Sequence, residues 1–253
     1  MSGHSKWSQI KHQKGQNDAR RGQLFTKLAR EITVAARKGG PDISMNSSLR
    51  LAVDRARQSN MPNDNIDRAI KRANGIGGEG GADLDEVTYE GYGPGGAAVL
   101  VVALTDNRNR AASEVRRAFD RHNCKMAEVG SVAWIFEKKG VITIQETLEK
   151  AEELALLAID LGAEDFSIDD SGLELRVPLE RFEGIRIALE EQGVTLTSAE
   201  LSMVPKTAAT LNERTSEQTL KLLDRLEELE DVQQVYTNAE FSEEVLEHYK
   251  ELA

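Results

Sequence analysis

The chain has 253 residues, with 40% hydrophobic and 30% charged side chains, which excludes both a single small domain and a disordered chain and predicts two or three packed domains. The longest apolar run covers residues 97–104, whereas a membrane-spanning helix needs about 18 or more apolar residues, so we expect no membrane partner. The net charge of −11 excludes a uniformly basic surface.

The charge is unevenly distributed along the chain. Residues 1–76 carry 15 basic and 6 acidic side chains, whereas the remainder carries 17 basic and 37 acidic side chains. This polarity predicts a cationic binding segment that is attached to acidic domains. The alternative is that the basic segment only docks on the acidic domains of the same chain.

The N-terminal residues form a polar, basic arm. Lysines, histidines and one indole alternate in segments 3–7 and 10–14. Lysines neutralise phosphate charge and an indole stacks on an exposed base, so this composition suits nucleic acid. The alternative is that the apolar side chains of the arm only pin it to the helices that follow. His4 and His12 are far apart and have no neighbouring thiol or carboxylate, so we expect no bound metal.

Three amphipathic helices follow the arm. Apolar spacing predicts the first helix from Leu24 to the stop signal at 39–41, the second over 46–60 and the third over 62–73. Short links between them predict a small antiparallel bundle. The glycine-rich residues 76–81 are typical of a linker.

A β-rich stretch comes next. Strands are predicted at 87–92 and 97–104, on either side of the glycine-rich residues 93–96. These glycines lack the lysine and the serine or threonine of a phosphate-binding loop, so they predict a hairpin turn. A helix at 109–122 and a strand at 131–136 complete a ββαβ order.

The segment after residue 139 has a different order. Its predicted elements are strand 141–144, helix 148–161, strands 165–168 and 173–177, helix 179–192 and strand 195–203. This βαββαβ order is that of a ferredoxin-like domain.

The last predicted elements belong to the same unit as the ββαβ segment before residue 139. Helix 216–230, strand 232–236 and helix 242–252 complete the interrupted ββαβ unit. We therefore predict an α+β fold with an N-terminal three-helix bundle and two ferredoxin-like α/β domains, the last inserted in the middle one. The predicted domains are 1–77, 78–138 with 207–253, and 139–206.

Polar side chains gather in the segment 105–110, where a strand gives way to a helix. Such positions often carry function. The alternative is that the aspartate and the asparagines only cap the helix. A second polar site is predicted at Asn107, Arg108, Asn109 and Arg110, and its arginines are candidates for a phosphate or carboxylate contact.

The chain lacks the residue sets that are typical of enzymes. It has no Ser-His-acid or Cys-His arrangement and no spaced pair of carboxylates, so we expect no catalytic residue, no cofactor and no enzymatic activity. A hydrolase or nuclease that uses an unrecognised carboxylate site is the alternative. The lone Cys124 and the lack of a signal-like segment at the N-terminus predict a reducing, cytoplasmic location.

Several long motifs resemble the YebC/PmpR family, and the resemblance runs essentially from end to end. The motifs are Gly3–Trp7, Ile10–His12, Asp18–Gly22, Asn60–Pro62, Ile66–Lys71, Tyr89–Gly96 and Thr105–Arg110. The resemblance begins at residue 3, so we expect no organelle-targeting presequence and a bacterial cytoplasmic protein.

The resemblance implies three domains, the last inserted in the middle one. Members of the family are described as DNA-binding transcriptional regulators. Others act on messenger RNA or the ribosome, including a mitochondrial relative that activates translation of a cytochrome oxidase subunit. Asn63 and Asn74 stand where lysine and glycine are common in the family, so the cationic surface of the third helix is expected to be weaker here.

We therefore predict a non-enzymatic nucleic-acid-binding regulator of gene expression, of the DNA-binding transcriptional regulator type. The alternatives are a ribosome- or RNA-associated translation factor of the same family and a protein interaction adaptor that uses the acidic α/β domains. No predicted helix has the asparagine or arginine pattern of a base-reading helix, so we expect modest sequence specificity. The predicted nucleic-acid-binding residues are Lys6, Trp7, Lys11, His12, Lys14, Arg20, Arg21, Lys27, Arg30, Arg37, Arg68, Lys71 and Arg72.

Overall fold

The computed structural model describes residues 18–73, 84–169 and 172–251. They form an α+β fold in which a helical bundle is followed by two four-stranded sheets with helices, which confirms the predicted fold class. Within these ranges, every helix is too short or too polar to cross a membrane.

The bundle consists of α1 (Asp18–Gly39), α2 (Ser47–Gln58) and α3 (Asn63–Ala73). The first helix includes its polar residues 18–23, which apolar spacing did not predict because they contribute nothing to the apolar stripe. Asn46 caps α2, since its side-chain oxygen accepts the Leu49 amide proton at 3.0 Å. The core of the bundle is formed by apolar side chains such as Leu28, Ile32, Leu49, Val53 and Ile66.

The first sheet is assembled from both sides of the inserted segment. The strands lie in the order β3-β1-β2-β9, and β9 pairs antiparallel with β2. The elements that build this part of the molecule are β1 (Asp85–Tyr92), β2 (Ala98–Thr105), α4 (Arg108–Arg121), β3 (Lys125–Ala127), α7 (Glu213–Glu227), β9 (Val232–Thr237) and α8 (Glu243–Glu251).

The strand predicted at 131–136 is wrong. Residues Ala133–Ile135 form a short 3-10 turn, and the strand that pairs with β1 is Lys125–Ala127. The apolar composition of 131–136 reflects burial of Val132, Ile135 and Phe136 in a small core. Of these three residues only Phe136 lies in a strand, as the first residue of β4.

The second sheet has the strand order β5-β6-β4-β7 with every neighbouring pair antiparallel. This arrangement confirms the predicted βαββαβ order. Its elements are β4 (Phe136–Ile144), α5 (Leu148–Asp160), β5 (Asp165–Asp169), β6 (Gly172–Val177), α6 (Leu179–Glu191) and β7 (Ser198–Pro205).

Three separate apolar cores underlie these regions. The predicted boundary between residues 138 and 139 falls inside β4, because this strand begins at Phe136. A short parallel pair, β8 (Ala209–Thr210) with β10 (Ala239–Glu240), adds to the part of the chain that returns to the first sheet. The division into three domains stays a prediction.

Two glycines of the second sheet region allow a test of its packing. Gly140 on β4 faces α6, and a methyl group at this position would overlap the ring of Phe182. We expect Gly140→Ala to lower the free energy of unfolding by about 1–3 kcal/mol, because overpacking forces the ring or the strand to move. Urea unfolding measures the change.

The matched control is Gly184→Ala on α6. Gly184 is exposed and a methyl group there meets no neighbouring atom, so alanine should stabilise the helix by about 0.5–1 kcal/mol. If both substitutions changed the unfolding free energy equally, close packing at Gly140 would not be the cause.

Candidate nucleic-acid interface

Most of the predicted arm residues lie outside the described part of the chain. These residues are Lys6, Trp7, Lys11, His12 and Lys14, and the side chain of Arg20 in the first turn of α1 lies outside it as well. The interface can therefore be described from Arg21 onward.

The start of α1 carries an exposed cation. Arg21 is exposed, and its guanidinium carbon lies 5.5 Å from the centre of the Phe25 ring. This cation–π contact orients the side chain and leaves it accessible to solvent. Arg37, near the other end of the helix, is half-buried.

Two further predicted residues of α1 contact the acidic part of the molecule. The ammonium group of Lys27 donates to the carbonyl oxygen of Glu227 at the end of α7. The guanidinium of Arg30 donates to the carbonyl oxygen of Glu230 at 2.8 Å and to the Asp231 carboxylate at 3.0 Å. Cations are favoured at the carbonyl end of a helix. Lys27 therefore attaches the bundle to the end of α7, and Arg30 attaches it to the residues between α7 and β9.

The carboxylate of Asp231 is the centre of this junction. It is buried, and it accepts hydrogen bonds from Arg30 at 3.0 Å and from Arg110 and the Thr105 hydroxyl at 2.8 Å each. Burial alone would raise the pKa of Asp231, but the bonds from Arg110 and Thr105 and the charge of Arg30 hold it below its usual value. The ionised carboxylate thus joins the bundle, β2 and α4.

The predicted second polar site is engaged within the molecule. Asn107 is the N-cap of α4 and accepts the amide proton of Arg110 at 3.1 Å, which confirms the capping alternative for this residue. Arg108 forms an ion pair with Asp85 at 2.8 Å, and Asn109 is exposed. The arginines of this segment remain partly accessible, and a phosphate contact by them stays a prediction.

Two arginines of α2 form a second junction, which the sequence did not reveal as such. Arg55 lies 3.5 Å from Glu31 on α1 and 3.5 Å from Glu200 on β7. Burial lowers the pKa of Arg55, but the two carboxylates outweigh burial and raise it. Arg50 pairs with Glu183 on α6 at 3.1 Å. Glu183 and Glu200 lie more than a hundred residues after these arginines in the chain, so no local sequence pattern indicates the two ion pairs.

The cations of α3 are placed differently. Arg68, Lys71 and Arg72 are all exposed. Arg68 donates to the Asp64 carbonyl oxygen at 3.1 Å and to the side chain of Asn65, which holds it along its own helix. The exposed face of α3 therefore keeps its positive charge accessible.

A cleft of about 440 Å³ separates α1 and α3 from the first sheet. It brings the α3 arginines next to the 105–110 segment, two regions that the sequence kept apart. The polar side chains along it are Thr26, Arg30, Thr33, Asn65, Arg68, Arg72 and Asp106. Arg30 is paired with Asp231 and Glu230, and Asp106 is paired with Arg110, so the positive charge that the cleft presents comes from Arg68 and Arg72 of α3.

The chain is similar to known proteins along almost its whole length. A profile of the TACO1/YebC protein N-terminal domain matches residues 5–76, and a profile of the TACO1/YebC second and third domain matches residues 84–239. Proteins named "Probable transcriptional regulatory protein" from Dehalococcoides mccartyi, Rubrobacter xylanophilus and Desulfosudis oleivorans are 53%, 52% and 51% identical. Each of these alignments covers 97–98% of this chain and 98–99% of the relative.

A solved structure is also similar. The crystal structure of a conserved hypothetical protein from Aquifex aeolicus matches with a TM-score of 0.80 and 42% sequence identity. The match covers 89% of this chain and 93% of that chain.

The Asp231 junction gives a pH-dependent test. Because the pKa of Asp231 is lowered in the folded state, its contribution is present above about pH 4 and is lost as the pH falls through the folded-state pKa. We expect Asp231→Asn to reduce the free energy of unfolding by about 1–3 kcal/mol at pH 7, because the partly exposed Arg110 and the buried Thr105 lose a hydrogen-bond acceptor. The difference from wild type should shrink between about pH 5 and pH 3.

Asp106→Asn is the matched control, since Asp106 also pairs with Arg110, at 2.7 Å, but is exposed. This substitution should change the unfolding free energy little at any pH. Urea unfolding across the pH series measures both variants. A gap between Asp231→Asn and wild type that stays constant with pH would contradict an ionised Asp231.

Proposed function

This chain belongs to the TACO1/YebC family, and on that premise we propose that it is a nucleic-acid-binding regulator of gene expression without catalytic activity. Its relatives carry the name of probable transcriptional regulatory proteins, which favours DNA as the ligand and the bacterial cytoplasm as the location. Residues 1–76 carry 15 basic and 6 acidic side chains, although the rest of the chain is acidic. This local excess of positive charge is the observation that supports the proposal.

Most of the basic residues of the bundle fall into two sets. One set attaches the bundle to the acidic regions through ion pairs and carbonyl contacts, and consists of Lys27, Arg30, Lys38, Arg50 and Arg55. Docking of basic helices on acidic domains, the alternative to phosphate binding, thus holds for these five residues.

The other set carries the proposed binding function. It consists of the predicted arm residues together with the exposed Arg21, Arg68, Lys71 and Arg72. Their positive charges would replace the counterions of a phosphate backbone, and the released counterions favour binding. Phosphate contacts carry no sequence information, so we propose that base specificity is modest.

The proposal assigns different tasks to the three domains 1–77, 78–138 with 207–253, and 139–206. The first meets nucleic acid. The two acidic α/β domains hold the bundle through Asp231, Glu183 and Glu200 and leave their outer carboxylates to face a protein partner. Their negative charge also repels nucleic acid from the carboxylate-rich faces of these domains.

A ribosome- or RNA-associated translation factor is the second candidate. The exposed rings of Tyr92 and Trp134 favour it, because single-stranded RNA presents base faces that a duplex hides. Both candidates use the same cationic arm and differ in the ligand.

Salt dependence tests the proposed binding. If roughly six phosphates are contacted, the slope of log affinity against log salt should lie near −5 for duplex DNA and near −4 for single strands. Replacing the five cations that lead into α1 by alanine should reduce the magnitude of that slope by about 4. Those cations are Lys6, Lys11, Lys14, Arg20 and Arg21.

The control variant removes the same number of exposed cations from the α/β domains, namely Lys138, Lys150, Arg181, Lys206 and Arg214. It should bind with the wild-type slope. Duplex DNA, structured RNA and ribosomes are titrated in parallel, and the tightest ligand separates transcription from translation. A flat salt response, or full regulatory activity after deletion of residues 1–22, would instead support the protein interaction adaptor.

A further inference from the structure

Two exposed aromatic side chains are held together on the first sheet region. The hydroxyl of Tyr92 and the indole N–H of Trp134 both donate to the carbonyl oxygen of Ser131, each at 3.0 Å. Because the two donors share one acceptor, their polar ends lie side by side. Tyr92 is 43% exposed and Trp134 is 65% exposed, so apolar ring surface faces solvent.

The loop that carries Trp134 is fixed by a buried carboxylate. Glu90 on β1 is 3% exposed and accepts the amide protons of Gly130 at 2.7 Å, Val132 at 2.6 Å and Ala133 at 2.8 Å. Burial alone would raise the pKa of Glu90, but these backbone bonds lower it, so the carboxylate stays ionised. Rings on a fixed loop lose little conformational entropy when a ligand stacks on them.

A polar pocket of about 470 Å³ adjoins the same tyrosine. Tyr92, His122, Lys125 and Gln218 line it, together with the turn at 93–95. Lys125 is the register partner of Tyr92 between β3 and β1. The lining residues, all within the described ranges, include no carboxylate. An acidic chain thus has a pocket here that suits an anion.

The last two turns of helix α4, which ends next to this pocket, carry three arginines and one aspartate, Asp120. Helix α4 exposes Arg116, Arg117 and Arg121, and no carboxylate in the described part of the chain forms an ion pair with them. Burial lowers the pKa of His122, and the charges of Arg225 and Lys221 on α7 lower it further. The imidazole is therefore neutral at pH 7 and is available as a hydrogen-bond partner.

Helix capping explains only part of this arrangement. Asn123 adopts a left-handed φ of 56°, and the Cys124 amide donates to the Phe119 carbonyl oxygen at 3.0 Å, which ends α4 in the usual way. Basic residues at this end complement the helix dipole. Neither effect accounts for the solvent-facing rings of Tyr92, which is the register partner of Lys125, and of Trp134, which shares its hydrogen-bond acceptor with Tyr92.

We propose that Tyr92, Trp134 and Lys125 form a binding site for an unpaired nucleotide of a nucleic-acid strand. The base stacks on the rings and the phosphate lies beside Lys125. Aromatic rings next to cations are the means by which proteins hold single strands. A patch of two rings is too small for a stable protein interface, which buries about 800 Å² on each partner. This site rests on the proposed nucleic-acid-binding function, and it specifies a single strand as the ligand.

Trp134 itself reports the predicted contact. The chain has two tryptophans, so Trp7→Phe leaves Trp134 as the sole indole emitter. Stacking of a base on this ring should quench its fluorescence when a 12-nucleotide RNA or DNA single strand is added. A blunt duplex of the same sequence should bind the arm without quenching. Equal quenching by the duplex would overturn the proposal.

Anisotropy of the labelled single strand measures affinity in the variants. Trp134→Ala should raise Kd at least fivefold, since stacking contributes about 1–3 kcal/mol per base. Trp134→Phe should restore most of the affinity, because it retains a ring. Lys125→Ala should weaken binding and flatten the salt dependence by about one phosphate. Lys150→Ala, an exposed lysine on α5, is the charge-matched control and should bind as wild type does.

The outcomes separate this inference from the function on which it rests. If wild type binds single strands and only the arm variant loses affinity, the site proposed here is wrong and the nucleic-acid-binding function stands. If wild type binds no nucleic acid, both fail. A parallel titration with uridine monophosphate tests whether the phosphate at Lys125 belongs to a strand or to a free mononucleotide. If Lys125→Ala abolished binding of the mononucleotide and left binding of the strand unchanged, the assignment of this site to a strand would be wrong.

Discussion

The architecture depends on one buried carboxylate that must remain charged. Asp231 is removed from water at the point where α1, β2 and α4 approach the end of α7. A buried carboxylate is tolerated only when its charge and lone pairs are satisfied, and this one obtains its partners from three separate segments. Displacing the bundle would remove Arg30 from Asp231 and leave part of the negative charge of this carboxylate without a partner. The position of the basic helices on the acidic domains is therefore specified by electrostatics as well as by apolar contact.

This constraint reconciles a net charge of −11 with a polyanionic ligand. A basic bundle next to acidic domains would be expected to bury all its charge against them. The geometry instead uses a limited number of cations at defined carboxylates and carbonyl oxygens, while the face of α3 with Arg68, Lys71 and Arg72 points to solvent. The ion pairs within the molecule also connect the bundle to both sheet regions. A ligand on the bundle is thereby held at a defined position relative to the rest of the protein.

Much of the fold could be predicted because it depends on local patterns. Apolar spacing identifies the helices of the bundle, the glycines at 93–96 mark a turn, and the βαββαβ order follows from alternating periods. The error at 131–136 has a physical cause, since the Glu90 carboxylate takes backbone N–H groups that a strand would give to its neighbour. Composition alone does not show such a competition.

The candidate site was less accessible from the sequence, for two reasons. Density of positive charge identified the right region, but it did not separate Arg30, which is paired, from Arg72, which is exposed, because the distinction depends on carboxylates about 200 positions away. The composition of 131–136 likewise predicts a strand for Trp134, whereas its ring is exposed outside any strand. Helix capping by Asn107, by contrast, depends only on neighbouring residues, and the sequence indicates it as one of two alternatives for the segment 105–110.

The return of β9 to β2 has a consequence for biosynthesis. Asn238 accepts the amide proton of Ala98, a residue 140 positions earlier, so β2 emerges from the ribosome long before the strand that covers its edge. At about 5–20 residues per second, that interval lasts about 7–28 seconds, during which the βαββαβ segment between these strands has time to fold. The α7 terminus that receives Lys27 and Arg30 also appears only near the end of translation. The contacts of α1 with residues 227–231 are thus the last of the bundle's junctions that can form during synthesis.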